Sequence, residues 1–161
     1  MYLLDANIFI DAKNRAYGMD FCPAFWDWLL LKHSQEFLGS IDAVKKELLA
    51  GQDELSRWAK AAPSDFFQQP TSSGLGVLGQ ITNYIATSGY PPAEKARFLS
   101  KADPLLIAHA KAENHVVVTH EKAAPKSQKI KIPDVCSVFG VDCCSIYDVI
   151  RASKARFVLE S

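Results

Sequence analysis

The sequence predicts an α/β domain built on a parallel sheet, and three observations carry that prediction. His115–Thr119 reads HVVVT, three valines in a row, as in a strand covered on both faces. Short apolar runs at Met1–Leu4 and Phe37–Ile41 are each followed by a helical pattern, the alternation that parallel strands with crossover helices require. Apolar residues make up 48% of the 161 residues and charged residues 22%, globular proportions that exclude a disordered or fibrous chain.

Each element has a local reason. Met1–Leu4 reads as a buried strand, with Asp5 directly after it. From Asn7 the pattern turns helical through Ile8, Ile10, Ala12 and Ala16. Pro23 suits the first turn of a second helix, which sends Phe25, Trp28, Leu29 and Leu31 toward a core. After the Phe37–Ile41 strand, Asp42 is placed to cap the helix AVKKELLA, and Gly51 to end it. DELSRWAKAA forms a helix that Pro63 stops. Thr71, Ser72 and Ser73 offer caps for a long apolar helix reaching about Ser88, where Gly89-Tyr90-Pro91-Pro92 makes a turn. PAEKARFL is a short helix. Asp103 as cap and Pro104 as first helical residue then open DPLLIAHAKAEN. Beyond the valine strand, His120–Pro133 reads as a long loop, followed by the helices PDVCSVFG and SIYDVIRASKA. No repeat or linker divides the chain.

Composition narrows the function. Lysine plus arginine equals aspartate plus glutamate at 18 each, so a uniformly basic surface is excluded and any nucleic-acid contact must rest on a local patch. Cys22, Cys136, Cys143 and Cys144 form no C-x-x-C pair, which suits free thiols in a reducing cytosol. The start MYLLDANIFIDA has no basic segment before its first acid and does not read as a signal peptide. No stretch of about 18 apolar residues occurs, so no membrane helix is expected.

Ligands of parallel sheets bind beyond the carboxyl ends of the strands. Asp5 follows the first strand, Glu121 follows the valine strand, Asp103 opens the helix leading into that strand, and Glu47 lies in the helix after the second strand. Each has a bland alternative: a cap of the first helix or a turn for Asp5, a helix cap for Asp103, solvated charge for Glu47 and Glu121. Glu47, however, has only Ala43, Val44, Ala50 and Gly51 three and four positions away, so it has no intrahelical ion partner. Four converging carboxylates repel unless a cation joins them, and oxygen-only ligands suit Mg²⁺ or Mn²⁺. Lys122, Lys126, Lys129 and Lys131 stand in the loop after the valine strand, where they can grip a phosphate backbone or simply be solvated.

Read in order, LLDANIFIDA, VKKEL, ADPLLIAHA and VVVTHE resemble the signature of PIN-domain nucleases, and more narrowly PIN-like proteins grouped with bacterial toxin–antitoxin systems. The resemblance runs nearly the length of the chain. It implies a single three-layer α/β/α domain over 1–161 with a short central parallel sheet, in which 51–92 is a helical insertion or clamp. It implies a cytoplasmic, Mg²⁺- or Mn²⁺-dependent endoribonuclease that cleaves single-stranded RNA by metal-activated water. Asp5, Glu47, Asp103 and Glu121 would be its catalytic acids and metal ligands, with Asn7 and Thr119 in support. It also implies an antitoxin partner and a homodimer. The family's last acid is commonly aspartate with a hydrophobic residue soon after. Here Glu121 precedes Lys122 and two alanines, which leaves Asp134 as an alternative and keeps open a non-catalytic module that binds RNA or protein.

Other signals weigh less. Gly74, Gly76 and Gly79 spell G-x-G-x-x-G, with Glu94 twenty residues on, but PTSS rather than a strand precedes them, so the glycines read as helix-packing positions. His109, His115, His120 and Cys136 match no zinc spacing. Phe25, Trp26 and Trp28 read as core or interface. A phosphohydrolase with Asp5 as covalent nucleophile would want a second aspartate where Asn7 stands.

Overall fold

The structure is a computed structural model that describes residues 1–159. Five parallel strands form one sheet in the order β3-β2-β1-β4-β5, flanked by helices in a three-layer α/β/α arrangement. β1 (Tyr2–Leu4) is central, between β2 (Leu38–Ile41) and β4 (Val116–Val118). In register, Leu3 stands beside Gly39 on one side and Val117 on the other. The edges are two-residue strands, β3 (Phe67–Gln68) on β2 and β5 (Cys143–Cys144) on β4. Leu3, Leu4, Leu38, Ile41, Val117 and Val118 are all buried, as a sheet covered on both faces requires.

After β1 comes α1 (Ala6–Asp11), which runs into a π-helical turn over Ala12–Ala16 closed by the Tyr17 amide on the Ala12 carbonyl at 2.9 Å. α2 (Pro23–Ser34) buries Phe25, Trp26, Trp28 and Leu29. Leu31 does not join them: it is 55% exposed, because the helix turns that side to solvent. α3 is Asp42–Ala50 and α4 is Glu54–Ala61. α5 (Ser72–Thr87) starts on a Thr71 cap, whose hydroxyl accepts from the Gly74 amide at 3.0 Å. α6 (Pro92–Leu99) precedes α7 (Asp103–Glu113), and α8 (Ile132–Phe139) and α9 (Ile146–Ala152) close the fold.

Two expected caps fall one residue away. Asp42 and Asp103 are the first helical residues of α3 and α7, Ile41 and Ala102 hold the cap positions, and neither helix has a side-chain cap. The 51–92 segment is more than a helical insertion, since it supplies the edge strand β3, and its α5 packs along α7. Of the three glycines in that segment, only Gly74 meets a neighbour, the His109 backbone of α7; a Cβ at Gly76 or Gly79 would enter open space, so these two do not serve helix packing.

The chain leaves β1 toward β2 and β3, then returns on the other side of β1 to lay down β4 and β5. At such a reversal, parallel sheets bind their ligands in a crevice beyond the carboxyl ends of the strands, here those of β1 and β4. Among the described residues, no helix is long and apolar enough to cross a membrane.

Candidate active site

Asp5 is the first residue past β1, its amide extending the ladder to the Val118 carbonyl at 3.0 Å. Its side chain is 1% exposed and makes no cap for α1. The carboxylate turns instead to Thr119, the first residue past β4, whose hydroxyl donates to Oδ2 at 3.1 Å. Thr119 Oγ1 accepts in turn from the Glu121 amide at 3.1 Å, so the ends of β1 and β4 are joined by a short relay that fixes the Asp5 carboxylate. Thr119 thus bonds the Asp5 carboxylate from the end of β4. Asn7 is exposed on the first turn of α1.

Asp103 reaches the crevice from α7, where Pro104 follows it and its carboxylate caps nothing. Glu47, half-buried on α3, accepts the Ala102 amide on Oε1 at 2.7 Å and so satisfies the start of α7 that Asp103 leaves unmet. Glu121, from the loop after β4, does the same for α8: its Oε2 accepts the Ile132 amide at 2.7 Å.

The charges of the four acids act on one another. Burial, then the Asp103 charge, pushes Asp5 up to about 7, with Glu121 adding and the Thr119 hydroxyl opposing. Burial, then Glu121 and Glu47, pushes Asp103 up to about 6 against the pull of Lys101 and Arg97. The expected four-ligand set needs correction in its geometry, however. Among the described residues, no three aspartate, glutamate, histidine or cysteine side chains are grouped to hold an ion, and Glu47 and Glu121 each give an oxygen to a backbone amide. The donor chemistry still fits a divalent cation: two buried aspartates, raised by desolvation and like charge, are relieved either by taking up protons or by a cation.

Asp134, the alternative to Glu121, is likewise bonded to a backbone amide. Both of its oxygens accept the Ala124 amide at 3.1 Å, which ties α8 to the lysine loop. That loop is clasped along its length. Glu94 Oε1 accepts the Ile130 amide at 2.8 Å, and Arg97 Nη2 donates to the Ile130 carbonyl at 3.3 Å. Lys122, Lys126 and Lys129 are exposed on the loop and Lys131 is half-buried. Sequence reasoning meets Glu94 only as the acid after the glycine run and does not pair it with Arg97, although the i,i+3 spacing on α6 is an available signal. The Arg97 guanidinium pulls Glu94 down to about 2 and also feels Asp103 and Glu121, so it stands between the clasp and the crevice. His120, which fits no zinc spacing, lines a cavity of about 520 Å³ beyond the ends of β4 and β5, together with Thr119, Glu121, Lys122 and Tyr147.

Fold and site together define an α/β domain with paired buried aspartates at the switch point of a parallel sheet. Over residues 2–157 the chain matches, and belongs to, the family described as a domain of unknown function (DUF4411). No curated protein matches it.

Proposed function

We propose that the protein is a Mg²⁺- or Mn²⁺-dependent endoribonuclease of the PIN-like kind, acting on single-stranded RNA in the cytoplasm. The observation that carries this reading is the meeting of Asp5 and Asp103 in one crevice, from separate segments and without a cap role for either. Asp5 and Asp103 would hold the cation, with Glu47 and Glu121 adding negative charge beside them. When bound, such a cation supplies Lewis acidity, making water nucleophilic and offsetting the charge that develops on phosphate. Thr119 keeps Asp5 oriented, and burial excludes bulk water from both aspartates. Lys122, Lys126 and Lys129, held up by the clasped loop, would position the RNA backbone without reading sequence. Through the same resemblance, an inhibitory antitoxin-type protein and a homodimer belong to the proposal.

One observation favours a second reading, a non-catalytic module that binds RNA or protein: Glu47 and Glu121 each serve a helix start. Cleavage assays separate the two. The purified protein should cut single-stranded RNA with Mg²⁺ or Mn²⁺ and stop in excess EDTA. Cleavage that persists in chelator would overturn the metal mechanism, and binding without cleavage under any divalent ion would favour the module.

A further inference from the structure

A second pocket opens on the flank of the crevice, a cavity of about 260 Å³ between α1, the π turn and the start of α9. One wall is rigid: Tyr17 stacks on Phe25 with ring centroids 4.2 Å apart and planes 6° from parallel, and Trp26 Nε1 donates to the Tyr17 carbonyl at 2.8 Å. Ile8 and Ile146 supply apolar surface, while Tyr147, 47% exposed, contributes a second aromatic ring. Ala12 and Ala16, at the two ends of the π turn, are too small to fill the space. Such turns are rare and gather at functional sites, and an ion pair from Lys13 to Asp53 ties this one to the start of α4. Two residues of opposite charge, Asp11 and Arg15, complete the lining.

The pocket adjoins the acids. His120 lines both this cavity and the larger one past β4 and β5, and it follows Thr119, which bonds Asp5. Aromatic walls with one acceptor group and one donor fork suit a planar heterocycle that carries hydrogen-bonding edges. Pockets that enclose a whole drug-sized ligand run to ~300–1,000 Å³, so this one has room for a single base. A carboxylate accepts from the N1–H and amino group of guanine, and a guanidinium donates to its O6 and N7 acceptors. No other RNA base offers two adjacent donors together with those two acceptors.

We propose that this pocket takes one unpaired guanine base, which, resting on the nuclease reading, belongs to the RNA strand whose backbone passes Asp5 and Asp103. Guanosine itself tests the pocket, because it carries neither a metal requirement nor a scissile phosphate. Metal-free protein titrated with guanosine, adenosine, cytidine and uridine, and followed by saturation-transfer NMR, should bind guanosine saturably and more tightly than the other three. Arg15→Ala and Tyr147→Ala should each weaken guanosine about tenfold, while Tyr147→Phe, which keeps the ring, should stay within about twofold of the parent. Absence of saturable guanosine binding, equal binding of all four nucleosides, or indifference to Arg15→Ala would each overturn the proposal. Cleavage of RNA by a protein that ignores guanosine removes the pocket and leaves the nuclease. Guanosine binding by a protein that cleaves nothing keeps the pocket and removes the nuclease.

Discussion

The molecule handles its acids in two opposite ways within a short span of structure. In the clasp, Glu94 is met by the Arg97 guanidinium and the Ile130 amide, and Asp134 by the Ala124 amide, so each carboxylate has a donor that wants it charged. In the crevice, Asp5 has only neutral partners, the Thr119 hydroxyl and the Asn7 backbone, and Asp103 has no cap to make, while more acids crowd around both. The result is a pair of carboxylates at about 7 and about 6 beside another at about 2. The clasp uses its charge to hold the chain. The crevice keeps acids that the folded chain leaves uncompensated, the strain that the proposed cation would relieve.

The largest break in that comparison comes from neutralising the crevice. Asp5→Asn and Asp103→Asn should each lower RNA cleavage by at least about a hundredfold, since an amide is a far poorer ligand for Mg²⁺ than a carboxylate. The same variants should melt higher than the parent in EDTA at pH 8, because each removes a buried charge that folding disfavours. A ligand role predicts this inverse pair; a purely structural aspartate would lose both stability and activity. Variants that keep full cleavage would leave the two aspartates without a catalytic part.

The lysine loop sharpens the contrast next. Replacing Lys122, Lys126, Lys129 and Lys131 together should flatten the salt dependence of single-stranded RNA binding by a slope of up to about 3, at roughly 0.7 for each phosphate no longer neutralised. Because the Glu94, Arg97 and Asp134 hydrogen bonds go to backbone atoms of the loop or of its flank, its shape should survive and the far-ultraviolet spectrum should not change. An unchanged salt slope would assign these lysines to solvent alone.

Much of this division is readable from sequence, and the unreadable part has physical causes. Three consecutive valines and strand–helix alternation suffice for a parallel sheet, and an acid directly after a strand marks the crevice. Phe67–Gln68 and Cys143–Cys144 cannot be read as strands, since two residues carry no periodicity and are held in place by β2 and β4. Asp103-Pro104 looks like a cap followed by a first helical proline, yet the helix takes Asp103 as its first residue, and Glu47, far earlier in the chain, serves the Ala102 amide before it. Long-range partners of this kind leave no local trace. The π turn is equally silent: Ala12–Ala16 has the pattern of an ordinary helix, and only the Tyr17 amide, bonding back to Ala12, distinguishes it.

The two regions should also respond to pH with opposite signs. Asp5 and Asp103 are raised from 3.8, so above pH 4 the folded state binds more protons than the unfolded one and stability falls as pH rises toward 7. Glu94 is lowered from 4.5 to about 2, so its contribution is present above 4.5 and is lost as pH falls toward 2. Metal-free protein should therefore lose stability from these groups on both sides of about pH 4–4.5, as read by urea denaturation in EDTA. Saturating Mg²⁺ binds the ionised aspartates and should remove the decline on the alkaline side. A flat profile between about pH 5 and 7 in EDTA would mean that the crevice is not charged as described.

The smallest effects decide which acid completes the crevice. Glu121 and Asp134 both accept a backbone amide, from Ile132 and Ala124, so on hydrogen bonding alone they are equivalent. They differ in whom their charge reaches: Glu121 raises Asp5 and Asp103, whereas the Asp134 charge acts on Tyr90. Amide variants preserve an oxygen acceptor while deleting the charge. Glu121→Gln should therefore keep the start of α8 and weaken Mg²⁺ binding several-fold, with a smaller metal-induced rise in melting temperature than the parent shows. Asp134→Asn should cost about 1 kcal/mol or less, since one charge-assisted hydrogen bond becomes a neutral one, and should leave that metal-induced rise unchanged. Isothermal titration with Mg²⁺, run beside thermal melts of both variants, reads the two quantities separately. If Asp134→Asn reduces metal affinity and Glu121→Gln does not, the roles are exchanged and α8, rather than the end of β4, supplies the last carboxylate.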